Sequence, residues 1–186
     1  MRIRMSPKEA DLFKAFVDKS QGYFEFGIGG STFYAGSVVK GPVRAVDSDM
    51  AWIEAAEQSM PASQYERLLK YVDIGPTKEW GHPVSTDEKE KFSSYHGSII
   101  GNTQNIDLCL VDGRFRVACF LQALLVLDSD AIIGFHDYRS RKYYHSVENF
   151  ARPIAESQDM SFFVRRKDAN FDDIRAALSE TEHNPE

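Results

Sequence analysis

Apolar and polar positions along the chain follow two alternating periods. Leu12, Phe13, Phe16 and Val17 recur at helical spacing and mark the apolar face of a first helix. Ser6-Pro7-Lys8-Glu9, just ahead of them, carries the start signals: a hydroxyl cap, proline at the first helical position and glutamate at the third. Gly22 closes that element. Short runs rich in aromatic and β-branched residues at 23–26, 43–47, 68–74, 106–111, 130–135 and 161–165 predict six strands. Helical patterns follow at 30–39, 50–58, 115–127, 144–150 and 171–179. The runs at 106–111 and 130–135 are apolar almost throughout, as suits parallel strands covered on both faces. Strands alternating with helices predict an α/β domain, a mostly parallel sheet with helices on both sides. Ligands bind such sheets at the carboxyl ends of the strands, near the point where strand order reverses. The residues to read are therefore those just after each strand: Gly27 to Ser31, Asp47, Asp73, Asp112 and His136-Asp137.

Residues 75–105 break this rhythm. Pro76, Gly81, Pro83, Gly97 and Gly101 punctuate them, and a short helix is expected within 85–95. A connection of that length is commonly a functional lid or disordered. Trp80, His82, Phe92 and Tyr95 argue against disorder, so a lid over the carboxyl ends of the strands is expected. Residues 180–186 read as a solvated tail, and residues 1–186 as one domain.

Lys and Arg number 22 against 28 Asp and Glu, a net charge of −6. That balance argues against nucleic-acid binding driven by counterion release. No apolar run reaches the ~18 residues of a membrane span, and the first residues lack a secretory pattern. Two cysteines, Cys109 and Cys119, sit inside apolar runs and read as core residues, which points to a reducing cytoplasm.

Gly27-Ile28-Gly29-Gly30-Ser31 follows a strand and opens a helix. Glycines there let the backbone turn and approach a ligand, while free helix N-terminal amides favour negative charge. Taken alone, the cluster has a tight structural turn as its plain alternative. Glu25 precedes it, and Asp47 ends the next strand, where an acid can accept from both ribose hydroxyls or merely cap the following helix. Glu25-Phe26-Gly27-Ile28-Gly29-Gly30-Ser31-Thr32 resembles the first motif of class I S-adenosylmethionine-dependent methyltransferases. Val46-Asp47 is similar to their second motif, and Asp107-Leu108-Cys109-Leu110-Val111-Asp112-Gly113 to their fourth-strand motif. The resemblance covers residues 20–140. It implies a three-layer Rossmann-like fold, with S-adenosylmethionine held by Glu25, Gly27, Gly29, Gly30, Ser31, Asp47, Asp73 and Asp112, and with residues 72–74 near the adenine. Its sheet ends in an antiparallel hairpin, of which the pattern here supplies one strand, at 161–165. The competing dinucleotide fingerprint wants a third glycine where this chain has Thr32. An oxidoreductase or a non-catalytic nucleotide-binding domain are the alternatives.

Asp112 and His136-Asp137 end neighbouring strands. They read in three ways: a divalent-metal site formed by Asp112, His136 and Asp137, a general base at His136 oriented by an acid, or a satisfied buried polar group. Arg114, Arg116, Arg139, Arg141 and Lys142 gather near the same strand ends. Arg114, Arg139 and Arg141 are candidates for binding a small anionic acceptor, with a solvated surface as the plain alternative.

Overall fold

The computed structural model describes residues 1–186. Helix α1 (Pro7–Val17) starts at Ser6, whose hydroxyl accepts from the Glu9 amide while the Ser6 amide donates 2.8 Å to the Glu9 carboxylate. This is the reciprocal cap that the sequence predicts. Strand β1 (Tyr23–Phe26), helix α2 (Gly30–Val38), β2 (Val43–Asp47), α3 (Met50–Ser59) and β3 (Arg67–Tyr71) form one half of the chain. Helix α4 (Ser93–Gly97), β4 (Leu108–Val111), α5 (Arg116–Val126), β5 (Ile132–Phe135), β6 (Ala151–Ser157), β7 (Met160–Arg165) and α6 (Phe171–Thr181) form the other. The seven strands lie in the order β3-β2-β1-β4-β5-β7-β6, parallel except for β7. This is a Rossmann-like methyltransferase fold. Strand order reverses between β1 and β4, both buried along their whole length.

Register decides what the carboxyl edge presents. Phe26 pairs with Val46 and with Val111, and Val111 with Phe135. The residues that follow, Gly27, Asp47, Asp112 and His136, therefore emerge in one row. Alternation along the strands separates the two faces of the sheet. Phe24, Phe26, Cys109, Val111, Ile133 and Phe135 enter a 29-residue core beneath α4, α5 and α6. Tyr23, Val43, Leu108 and Leu110 pack with Phe13, Val17 and Val39 on the opposite side. Both cysteines are buried and free, and burial pushes both thiols up. No helix is long and apolar enough to cross a membrane.

Strand β3 ends at Tyr71, short of the expected 74, β4 begins at Leu108 rather than 106, and four larger features differ from the sequence reading. The C-terminal hairpin is complete, because β6 precedes β7. Strand β6 is an edge strand of mostly exposed residues, carrying Pro153 and a register shift between Pro153 and Ala155. An edge strand needs no apolar alternation and tolerates proline, so it leaves little mark in the pattern. Residues 142–149 form a 3-10 helix where an ordinary helix is predicted over 144–150. The helix expected within 85–95 is a 3-10 turn at Lys89–Lys91 followed by α4. The tail is not simply solvated: α6 runs to Thr181, and the residues after it return to the start of α5.

Phe120 of α5 is fully buried, stacked on Phe135 at 5.5 Å and edge-on to Phe163 at 5.3 Å. Phe120→Ala should cost about 3–5 kcal/mol. Urea unfolding checks this: the midpoint should fall with an unchanged slope.

Candidate active site

The glycine turn is fixed by a buried acid. Glu25 accepts from the Ser31 hydroxyl at 2.5 Å and the Thr32 hydroxyl at 2.6 Å, and Thr32 in turn accepts from the Gly29 amide at 3.0 Å. Burial pushes the Glu25 carboxyl up to about 8, against the lowering effect of those hydroxyls. Gly27 has φ +100°, and a Cβ there would lie 2.8 Å from the Gly113 amide nitrogen. Gly29 is different: a Cβ there would meet no atom within 4 Å, so the loop leaves open space toward the cavity.

Asp47 accepts from the Ile28 amide at 2.7 Å through one oxygen and from the Asp49 amide at 2.9 Å through the other. Capping of α3 falls to Asp49, whose side chain accepts from the Ala51 amide. Asp47 is thereby free to brace the glycine loop, and each of its oxygens keeps acceptor capacity. Burial raises its carboxyl to about 6, opposed by the two amides.

Across the switch point, Asp112 accepts from His136 Nδ1 at 2.9 Å. Burial lowers the His136 pKa, but the adjoining Asp112 and Asp137 charges outweigh it and raise the group to about 9. Burial likewise raises Asp112, and the charges of His136 and Arg116 reverse that, holding it below the usual carboxylate range. Arg116 is the hub of this cluster. Its guanidinium reaches Asp112 at 3.3 Å, Asp137 at 3.1 Å, the His136 carbonyl at 2.7 Å and the Gly113 carbonyl at 3.0 Å.

Candidate ligand atoms of Asp112, His136 and Asp137 lie within 4.8 Å of one another. Arg116 already lies on both carboxylates, and His136 spends Nδ1 on Asp112. A divalent ion would have to displace a buried guanidinium, so this donor set fits an ion-paired histidine better than a metal.

A cavity of about 430 Å³ unites these groups with the glycine loop. Of the expected site residues, Glu25, Gly27, Gly29, Gly30, Ser31, Asp47, Asp112, Arg114, His136, Asp137 and Arg141 all line it. Asp73 and Arg139 do not. The Asp73 carboxylate pairs with Lys91 at 2.9 Å and with the Gly75 amide at 2.8 Å, while Val72 and Ile74 are buried in the core. Arg139 is exposed and reaches only the Gln158 carbonyl, at 3.4 Å.

Two lining residues, Trp52 and Arg4, had no signal in the sequence. Trp52 of α3 lies parallel to Trp80 at 6.2 Å, and the Arg4 guanidinium lies 5.1 and 4.7 Å from the two rings. Arg4 arrives there because residues 2 and 3 cross Gly30, where a Cβ would meet the Arg2 carbonyl at 2.1 Å. The 75–105 segment divides in two. A bridge between Thr77 and Pro83 closes a loop that brings Trp80 and His82 to the cavity. Phe92 instead packs on Phe115 inside the core, and Tyr95, which also packs on Phe115, reaches the cavity lining.

A carboxyl raised from the ordinary range to about 8 stabilises the fold in its protonated form. That contribution is complete below its unfolded pKa and is lost as pH rises toward about 8. Glu25→Gln, which keeps the neutral shape, should therefore gain melting temperature relative to the parent as pH rises from 5 to about 9, with most of the gain between the two pKa values. Parallel thermal melts check this, since groups common to both proteins cancel in the difference.

Over 99% of its length the chain matches the crystal structure of a methyltransferase-like protein from Silicibacter pomeroyi DSS-3, covering 98% of that chain, with 30% identity and a TM-score of 0.87. The N-methyltransferase NodS from Bradyrhizobium japonicum WM9 matches at TM-score 0.51 and 12% identity, over 89% of this chain and all (100%) of that one. An RNA methyltransferase from Salinibacter ruber, solved with S-adenosyl-L-homocysteine, matches at TM-score 0.51 and 10% identity, over 90% of this chain and 97% of that one. These two share the fold. No protein-family model and no curated protein matches the sequence. With a near-full-length relative at 30% identity, the strand order of the fold and the braced glycine turn at its switch point, the chain belongs to the class I S-adenosylmethionine-dependent methyltransferase-like, Rossmann-type family.

Proposed function

We propose that this protein transfers the methyl group of S-adenosylmethionine to an oxygen of a small anionic acceptor. One observation carries the reading: the Asp47-braced glycine loop and the Asp112–His136 pair open onto the same cavity. The residues fit the cofactor. Space beyond Gly29 admits a ligand against the loop, and Asp47 retains an acceptor site on each oxygen for a ribose diol. Trp52 and Trp80 supply flat apolar surface at the Asp47 end, where Gly81 lies against Ser48 and Asp47. Thr32 is wholly buried with its hydroxyl on Glu25, in the place where a dinucleotide loop needs its third glycine. Bound here, S-adenosylmethionine supplies an electrophilic methyl group.

The chain's own residues manage charge and proton. Asp112 fixes His136 through Nδ1, which leaves Nε2 as the atom to take a hydroxyl proton. Its nearest acid is Glu9, 3.9 Å away. A base raised to about 9 is mostly protonated at neutral pH and suits a weakly acidic hydroxyl. Arg114 and Arg141 supply positive charge in the same cavity for an anionic group on the acceptor.

Calorimetry should show S-adenosylmethionine and S-adenosylhomocysteine binding and no NAD(H) binding. Asp47→Ala should weaken S-adenosylhomocysteine by about 1–3 kcal/mol, through lost hydroxyl bonds and a loosened loop. Tight NAD(H) binding without either methyl-cycle ligand would overturn the assignment.

Transfer of labelled methyl to a panel of small hydroxylated carboxylates should rise with pH toward about 9 and should persist in chelator. NMR should find the His136 ring titrating near that value, and Asp112→Asn should move it down toward ordinary histidine. Activity abolished by chelator and restored by Mg²⁺ would replace the base with a metal.

A further inference from the structure

Helix α5 begins unusually. Phe115, just before it, adopts a left-handed conformation, φ 53° and ψ 42°, and no side chain caps the helix. The first amides of a helix have no partner inside it and attract negative charge. Here two successive amides, of Phe115 and Arg116, donate to the backbone oxygens of Pro185 at 3.2 Å and Glu186 at 3.0 Å. Glu186 lines the cavity. The chain thus sets two successive backbone oxygens on the first amides of α5, with Arg116 and Glu186 at the lining of the cavity that holds the glycine loop and His136.

A second observation points to a charged ligand at the same place. Arg114 is 7% exposed, yet no carboxylate lies within ion-pair distance of it, and its Nε is buried with no hydrogen-bond partner. Its only side-chain partner is the His82 ring. The neighbouring arginines differ: Arg116 lies on Asp112 and Asp137, and Arg141 on Asp137. A buried cation without a counter-charge is costly unless a ligand supplies one. Besides its two bonds to α5, the 184–186 segment that fills the position is held by few polar contacts, one of them between the Asn184 side chain and Tyr143. The Asn184 amide bonds Thr181 at 3.0 Å, the Glu186 amide bonds the Asn184 side chain at 3.1 Å, and Glu186 stays exposed.

We propose that the Phe115 and Arg116 amides, with Arg114, form the subsite for the acceptor's carboxylate or phosphate group, and that residues 184–186 occupy it until an acceptor displaces them. The proposal rests on the methyltransferase reading only in calling the ligand an acceptor. A carboxylate or phosphate can engage the two amides and the Arg114 guanidinium together, which the segment's backbone oxygens do not, so displacement by such a group is favourable. The oxyanion also supplies the contact ion pair that Arg114 lacks, since the Glu186 charge acts on it only from beyond ion-pair distance. Acceptors would then bear an anionic group positioned on α5 and a hydroxyl directed toward His136.

The test titrates the full chain and a chain ending at His183 with inorganic phosphate and with benzoate, each with and without S-adenosylhomocysteine, followed by amide NMR. In the full chain, either anion should shift Phe115 and Arg116 and release the Glu186 amide in step. Without residues 184–186 the same anions should bind about tenfold tighter or more, because the competing segment is gone. Arg114→Gln in the shortened chain should reverse that gain. Asn184→Ala, which removes the side chain that holds Glu186 and meets Tyr143, should give a smaller gain in the same direction and serves if the shortened chain does not fold. The ratio of benzoate to phosphate affinity identifies the group recognised. Equal anion affinity in the full and shortened chains, or binding that leaves Phe115 and Arg116 unmoved, overturns the subsite. S-adenosylhomocysteine binding alongside that result leaves the methyltransferase reading intact. Anion binding without S-adenosylhomocysteine binding overturns the methyltransferase reading and keeps the subsite.

Discussion

Two backbones in contact set the dimensions of this protein's site. A Cβ at Gly27 would lie 2.8 Å from the Gly113 nitrogen, and one at Gly113 would lie 2.8 Å from the Gly27 nitrogen and 2.1 Å from the Tyr95 hydroxyl. The loops after β1 and β4 can approach this closely only because neither residue carries a side chain. The contact falls at the reversal of strand order, where the helices leaving the two strands diverge and open a crevice. Glu25 and Asp47, which brace the glycine loop, lie on one side of it, and the ion-paired Asp112, Arg116 and His136 on the other. Widening the contact would separate Asp47 from His136, with no compensating movement open to a sheet whose four central strands end in register.

Charge in the crevice is arranged against the net charge of the chain. The molecule carries −6 overall, yet Arg114, Arg116, Arg141 and a histidine raised to about 9 converge on its cavity. Arg116 neutralises the acids that would otherwise repel one another, and its carbonyl bonds tie the β4 and β5 loops together. Glu25, on the other side, stays largely neutral near pH 7 and contributes shape and hydrogen bonding more than charge. The cavity thus presents a neutral, hydrogen-bonding wall at the glycine loop and a positive one at α5. That asymmetry suits the proposed donor and anionic acceptor meeting between them.

Three separate stretches of chain close the mouth: residues 2–5 across Gly30, the loop around Trp80 and His82, and residues 184–186 on α5. None belongs to the sheet. The packing of the Arg4 guanidinium on Trp52 and Trp80 joins the first two through cation–π contact. Loops positioned by a rigid scaffold are where specificity commonly resides.

The sequence by itself determined the α/β class, the central strands and the residues at their carboxyl ends. Those strands are short apolar runs bounded by glycine and aspartate, and Gly27, Asp47, Asp112 and His136 follow them directly, so a local pattern suffices to place them. Tertiary structure alone decided the direction of side chains one step further out. Asp73 follows a short edge strand and turns to Lys91 and solvent, away from the cavity. Arg139 and Arg141 sit two residues apart, yet only Arg141 reaches the cavity, after the left-handed turn at Asp137. Strand β6 escaped notice because an edge strand with exposed faces needs no periodic burial. The roles of Arg116, Arg4 and residues 184–186 depend on contacts between segments far apart in sequence, and no spacing or propensity encodes such contacts before the chain has folded.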